Sequence, residues 1–170
     1  MEATFAGGCF WCTEAAFERV PGVLEATPGY AGGDTVEPSY EEVCSGSTGH
    51  AEVVRVRFDG DVVSYDDLLD VFFAVHDPTT LNREGPDVGS QYRSAVYYHD
   101  ESQREAVERK VEELRADGVD VVTEVEPVGE FYVAEDYHHD YYERNPDAGY
   151  CRVNVPPKLE KVDEVVGSRG

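Results

Sequence analysis

Cysteines carry the first chemical signal in this chain. Cys9 and Cys12 stand three residues apart in Gly7-Gly8-Cys9-Phe10-Trp11-Cys12, while Cys44 and Cys151 lie far along the sequence. A thiol placed where a strand leaves a double glycine and a helix begins sits among free backbone N–H groups, at the positive end of the helix dipole. Such surroundings lower a thiol pKa from ~8.5 into roughly the 3.5–7.5 range, so Cys9 is expected to be a thiolate nucleophile. Cys12, one turn on, faces Cys9 across the helix start. Taken alone, Cys-Phe-Trp-Cys suits disulfide reductases and zinc sites as well. Phe10 and Trp11 fill the gap with aromatic surface, an apolar slot fitted to a methyl or thioether group. The plainer alternative is that both rings pack in the core, but Trp11 is the chain's only tryptophan and it stands beside the nucleophile.

A proton donor is the next requirement. If Glu52–Phe58 forms a strand, Glu52, Val54, Val56 and Phe58 share one face, with Arg55 and Arg57 on the other. A carboxyl on an apolar face is desolvated and holds its proton toward neutral pH. Were the strand to begin later, Glu52 would be solvated at its edge. Two loops add Tyr40 ahead of Cys44, and Asp87 with Tyr92, groups able to hydrogen-bond a polar oxygen. His138-His139 between Asp136 and Asp140 raises the question of a metal. Adjacent histidines rarely ligate one ion and no spaced partner set accompanies them, so they are expected to be structural and no metal is expected.

These groups need elements to position them. Strands are expected at Glu2–Ala6, Val23–Tyr30, Glu52–Phe58, Ser94–Tyr98 and Val121–Val125. Helices are expected at Trp11–Val20, ended by Pro21-Gly22, at Tyr65–Val75, and from Asp100, in a capping box with Gln103, to Asp117. Residues 31–50 and His76–Arg93 read as loops. The order β-α-β-β-α-β, then helix and strand, gives an α+β fold: a ferredoxin-like split β-α-β sandwich with an extra helix and strand. From Glu130 onward the chain reads as a long irregular segment rich in tyrosine. One domain spans 1–170, with a polar tail from about 161 expected to be disordered.

Composition excludes several classes. With 41% hydrophobic residues the chain can build a core, and at 170 residues it needs no disulfide framework. Fourteen basic against 36 acidic residues leave a net charge of −22, which repels polyphosphate, so nucleic-acid binding is not expected. A surface this acidic is strained by self-repulsion unless salt screens it, the Debye length falling from ~10 Å at 0.1 M to ~3 Å at 1 M; adaptation to a salty cytoplasm follows. Met1–Phe5 runs straight into Gly7-Gly8 with no basic flank, and no stretch approaches the ~20 apolar residues of a membrane span. A cytoplasmic monomer with catalytic thiols is expected.

Taken together, the segments resemble the A-type peptide methionine sulfoxide reductases. Residues 7–14 (Gly-Gly-Cys-Phe-Trp-Cys-Thr-Glu) are similar to that family's active-site signature. Further motif matches run through 29–33, 38–46, 48–52, 76–79, 87–94 and 134–138 to Tyr150-Cys151. The resemblance implies thiol-dependent reduction of the S epimer of methionine sulfoxide, free or in oxidised proteins, as protein repair in oxidative stress. It makes Cys9 the nucleophile on sulfur and Glu52 the acid that protonates the departing oxygen. Tyr40 and Tyr92 would hydrogen-bond that oxygen, Asp87 would orient the network, and Phe10 and Trp11 would hold the methyl group. Cys9 becomes a sulfenic acid, a second thiol converts it to a disulfide, and thioredoxin or another dithiol reduces that, with no cofactor. Many members have glycine at the Cys12 position, and some carry a mobile Gly-rich C-terminal resolving segment that Arg152–Pro157 does not match. The resolving thiol is thus Cys12 or Cys151. Cys12 is favoured because a turn of helix brings it near the Cα spacing of roughly 4.4–6.8 Å a disulfide needs. A relay from Cys12 to Cys151 stays open, and Cys44 is expected to be inert. Two rivals remain: a general thioredoxin-like disulfide oxidoreductase using Cys9 and Cys12, which needs no buried acid, and a small zinc-binding module.

Overall fold

The structure, a computed structural model, describes residues 1–169. Side chains alternate along β1 (Glu2–Gly7), so that Ala3 and Phe5 enter the main core while Ala6 enters a smaller cluster on the opposite face. The strand is central: it pairs antiparallel with β3 (Ala51–Phe58) on one side and β6 (Ser94–Tyr98) on the other. β2 (Val23–Ala31) completes the core sheet against β3. β7 (Glu124–Pro127) joins β6 in parallel, and β8 (Phe131–Val133) joins β2 antiparallel, giving the order β7-β6-β1-β3-β2-β8. The inner four strands, β6-β1-β3-β2, carry the split β-α-β plan expected from the sequence. A two-stranded hairpin, β4 (Arg83–Glu84) and β5 (Asp87–Val88), stands apart from this sheet.

Helices cover one face. α1 (Phe10–Glu18) brings Phe10, Ala16 and Phe17 to the main core, and α3 (Tyr65–Val75) brings Leu68, Leu69, Val71, Phe72 and Val75. α3 starts from a complete capping box, Ser64 accepting from the Asp67 N–H while Asp67 accepts from the Ser64 N–H. α4 (Glu101–Ala116) adds Ala106, Val107 and Val111. Phe5 sits at the centre of this layer, stacked on Phe17 at 4.9 Å and Phe72 at 5.1 Å. The other face carries mostly small side chains, Ala6, Ala31, Ala51, Val53 and Ala95, with Tyr97. No described helix is long and apolar enough to cross a membrane.

The structure departs from the sequence reading in several places, among them His76–Arg93, read as a loop, which holds the β4–β5 hairpin and a 3₁₀ turn at Ser90–Tyr92. The capping box at α4 is half formed: Asp100 accepts from the Gln103 N–H at 2.9 Å, but the Gln103 side chain caps His99 and Glu2 instead of Asp100. The strand expected at Val121–Val125 runs over Glu124–Pro127, because its register against β6 starts at Ala95↔Glu124. Val121 and Thr123 ahead of it are buried, which gives that stretch the hydrophobicity of a strand without the ladder. Residues 31–50, read as loop, hold the short α2 (Tyr40–Cys44), capped by Ser39 in a box with Glu42.

The largest departure is the C-terminus. In place of an irregular segment there are β8, a 3₁₀ turn at Asp136–His138, α5 (Tyr141–Arg144) and α6 (Gly149–Arg169). α6 carries Pro156 and Pro157 inside it, residues that lack an N–H and normally break a helix. Burial overrides the propensity: Cys151, Val155 and Val162 are each fully buried, Leu159 packs with the first two, and their spacing of four, four and three is one helical stripe. From residue 161 the chain continues in this helix.

Candidate active site

β1 delivers the chain to Gly8, whose φ of +93° is the left-handed conformation only glycine adopts without strain. A Cβ there would also lie 2.5 Å from the Glu84 Cγ. Cys9 follows as the N-cap residue of α1, its carbonyl accepting the Cys12 N–H at 3.1 Å. Cys9, Cys12, Cys151 and Val155 form one buried cluster, packed by Trp11, Tyr92, Tyr141 and Tyr150. All four cysteines are free thiols, and Cys44 is exposed.

The resting thiolate expected at Cys9 is not what this environment favours. Burial pushes the Cys9 thiol well up, and the hydrogen bond it shares with Cys12 and the neighbouring Glu52 push the same way. One backbone N–H, that of Trp11, acts in the opposite sense. Cys12 is shifted down, chiefly by the hydrogen bond from Cys9 and then by the charge of Lys158 and contact with Tyr150. Of the pair, Cys12 is the thiol that ionises first.

Glu52 lies on the apolar face of β3, directly opposite Tyr30 of β2 and 1% exposed. One of its oxygens, Oε1, accepts the Phe10 N–H at 3.1 Å, and Oε2 is buried with no hydrogen-bond partner among the described residues. Burial raises the carboxyl to about 8, opposed by the Phe10 hydrogen bond, so it is protonated at neutral pH. The side chain therefore meets the sequence expectation of a desolvated acid.

Tyr40 and Tyr92 are both shifted up by burial and feel the charge of Glu52, so they remain neutral donors near it. The Tyr40 hydroxyl hydrogen-bonds Cys44, and the Tyr40 N–H is held by Glu135 at 3.0 Å. Asp87 meets the thiols through Tyr150: the Tyr150 hydroxyl donates to Asp87 Oδ2, and Cys12 Sγ lies 3.8 Å from the same hydroxyl. Lys158 of α6 bonds Glu84 at 2.9 Å and the Val75 carbonyl at 2.7 Å. An open cavity of about 630 Å³ reaches Cys9 and Cys12 between α6 and the β4–β5 hairpin, with Asp87, Tyr150 and Lys158 in its walls. Glu52, Tyr40, Tyr92, Phe10 and Trp11 do not line it.

The two aromatic residues between the thiols part company. Phe10 is fully buried, its ring 5.0 Å from the His138 imidazole and 5.7 Å from Tyr30. Trp11 is half-buried, stacked on Tyr141 at 3.8 Å, and its indole N–H donates to His138 Nδ1 at 2.9 Å. His138 is thus structural but central, fully buried among Phe10, Trp11, Tyr40 and Tyr137. Burial holds it down to about 4, so the ring is neutral, and because Nδ1 accepts from Trp11 the proton is assigned to Nε2. Sequence reasoning missed the place of His138, Tyr141, Tyr150 and Lys158 in the site. The helical spacing of Cys151, Val155 and Leu159 is the signal that could bring the last two to the thiols.

One acidic group among the described residues, Glu14, Glu18 and Asp140, is close enough to share a cation. Burial raises Glu14 to about 7 and Glu18 to about 9, and Glu18 hydrogen-bonds Asp140.

The sequence model of the family described as peptide methionine sulfoxide reductase matches residues 1–169. A peptide methionine sulfoxide reductase MsrA of Halobacterium salinarum is 59% identical over 170 residues, 98% of this chain and 96% of its own length. The crystal structure of Mxr1 from Saccharomyces cerevisiae in reduced form superposes with a TM-score of 0.83 at 37% identity, covering 89% of this chain and 88% of that one. A structure of the same yeast protein in complex with Trx2 matches with a TM-score of 0.58 at 26% identity, covering 83% and 84%. With the family's sequence model spanning nearly its whole length, this chain belongs to the peptide methionine sulfoxide reductases.

Proposed function

We propose that Cys9 of this chain attacks the sulfur of methionine S-sulfoxide, free or in oxidised proteins, while Glu52 protonates the oxygen. The observation that carries the reading is the pairing of a buried thiol at the start of α1 with a carboxyl that keeps its proton to about pH 8. Tyr40 and Tyr92 hydrogen-bond the departing oxygen, with Asp87 orienting the network, and Phe10 and Trp11 hold the methyl group. Cys12, which ionises more readily, takes the Cys9 proton as the Cys9 sulfur bonds the sulfoxide sulfur; the protonated oxygen then passes to Cys9 as that S–S bond and the methionine S–O bond break. Methionine leaves and Cys9 becomes a sulfenic acid.

Cys12 then closes a disulfide on Cys9 with loss of water. The hydrogen bond between the two thiols supports Cys12 over Cys151, whose thiol burial pushes up to about 11. Cys151 lies in the same buried cluster, which supports a relay of the oxidation onward from Cys12. Electrons come from a dithiol protein of the thioredoxin class, a partner supported by the complex of the yeast relative with Trx2. The chemistry needs only thiols and an acid, so no prosthetic group is called for. A general disulfide oxidoreductase would leave the buried acid unused. The direct test is turnover on the two separated sulfoxide epimers: the S form is expected to be reduced and the R form spared, and equal rates would refute the assignment.

A single-domain monomer working in a salty cytoplasm is the setting that the charge supports. At −22, screening removes repulsion present mainly in the compact state. Most ion pairs, such as Arg19–Asp163 and Arg57–Glu25, are exposed, and salt weakens them only modestly because each is worth about 0–1 kcal/mol. The melting midpoint is therefore expected to rise through a potassium chloride series from dilute buffer to molar salt. A flat or falling midpoint would count against this setting.

A further inference from the structure

The contact of Tyr150 with Cys12 and Asp87 points beyond the roles assigned above. Tyr150 lies in the first turn of α6, its ring edge-on to Trp11 at 5.9 Å. Its hydroxyl is within 3.8 Å of Cys12 Sγ and donates to Asp87 Oδ2. A tyrosine has one proton to give, and here it goes to the carboxylate, which leaves the oxygen free to accept from the Cys12 thiol. The donors thus run one way, from Cys12 through Tyr150 to Asp87. Burial raises the Asp87 carboxyl, which makes it a better proton acceptor than a solvated aspartate.

We propose that Tyr150 passes the proton of Cys12 to Asp87 and so generates the thiolate that closes the disulfide on Cys9. The proposal rests on the reading of Cys12 as the resolving thiol. As the Cys12 proton moves to the Tyr150 oxygen, the Tyr150 proton moves to Asp87. Afterwards both hydrogen bonds are reversed: Asp87 donates to Tyr150, and Tyr150 donates to the Cys12 thiolate. That sulfur attacks Cys9 of the sulfenic acid; an S–S bond forms, the S–O bond breaks, and the oxygen leaves as water with a proton from Glu52, which has regained one from water since its first transfer. Asp87 holds the Cys12 proton until solvent takes it through the open cavity. The two thiols have together lost the two electrons that the sulfoxide accepted. The other charged or titratable groups interacting with this pair are Cys9, Glu52, Glu84, Tyr92, Cys151 and Lys158.

The test is Tyr150→Phe, which keeps the ring against Trp11 and removes the oxygen. A circular dichroism spectrum and melt like those of the wild type show that the variant is folded, and one turnover without reductant then forms the Cys9 sulfenic acid. The Cys9 sulfenic acid, trapped with dimedone, should persist on the order of 10-fold longer or more, as loss of a positioned proton acceptor implies. Iodoacetamide labelling of Cys12, read by peptide mass across pH, should show its midpoint moved up, which loosened packing of α6 alone would not do. An unchanged sulfenic acid lifetime or an unmoved midpoint would overturn the proposal. Cys12→Ser separates the two levels. If it too accumulates sulfenic acid, the reading of Cys12 stands whatever Tyr150→Phe does. If it forms a Cys9–Cys151 bridge at the wild-type rate, that reading and the proposal fall together.

Discussion

Cys9→Ser is expected to abolish reduction of methionine sulfoxide, with a loss on the order of 10³-fold or more, while the fold is retained. A hydroxyl at this position keeps nearly the same volume at the N-cap of α1, and the site offers no strong base to activate it. Cys12 serves a thiol, whose proton is far easier to remove than that of an alcohol. The hydroxyl also suits an N-cap, so melting should be unchanged or slightly raised. Single-turnover methionine release measures the loss directly. Activity at more than a few per cent of wild type would move the nucleophile to Cys12, Cys44 or Cys151.

Glu52→Gln carries the second large effect. The amide keeps an oxygen for the Phe10 N–H but has no proton to give to the departing oxygen, and the chemical step should slow by roughly 10²–10⁴-fold. In the wild type the rate should fall as pH rises past about 8, because the donor is lost as the carboxyl ionises. The variant should lack that falling limb. Stability gives an independent reading with its own sign. The folded value is raised above the ordinary 4.5, so the proton on Glu52 favours the folded state. That contribution is fully present below about 4.5 and is lost as pH rises toward and through about 8. Glutamine has no such dependence, so the wild type should lose stability relative to the variant over this range. A change in rate of less than about threefold would remove Glu52 as the essential donor.

Much of this site is legible in the amino-acid sequence, and the reasons are local. Tyr65–Val75 forms as read because its apolar spacing, the Ser64 cap and Asp67 agree with one another. Glu52 can be placed because period-two alternation assigns a face to every residue of a strand. Cys9 can be placed because double glycine followed by a helix has few conformations. The protonation of Cys9 cannot be read the same way. Helix-end stabilisation is a local quantity, whereas the burial that outweighs it draws on segments far away in sequence, Tyr92, Tyr141 and Cys151 among them. α6 itself is hidden by Pro156-Pro157, a local signal that says break, while the stripe from Cys151 to Val162 that overrules it acts only once a core exists to receive it. His138 likewise looks like half of a surface pair until Phe10, Trp11 and Tyr40 close around it.

The stack of Trp11 on Tyr141 has a spectroscopic consequence. Because the chain has a single tryptophan, all indole emission arises from one residue, two positions from the nucleophile. That indole touches α5 through Tyr141, α6 through Tyr150 and the buried imidazole of His138 through its N–H. The emission of the intact protein therefore reports on the thiol cluster alone, without a label. Oxidation of the pair, departure of α6 or arrival of a ligand can each be followed at that one wavelength, in real time, in the unmodified enzyme.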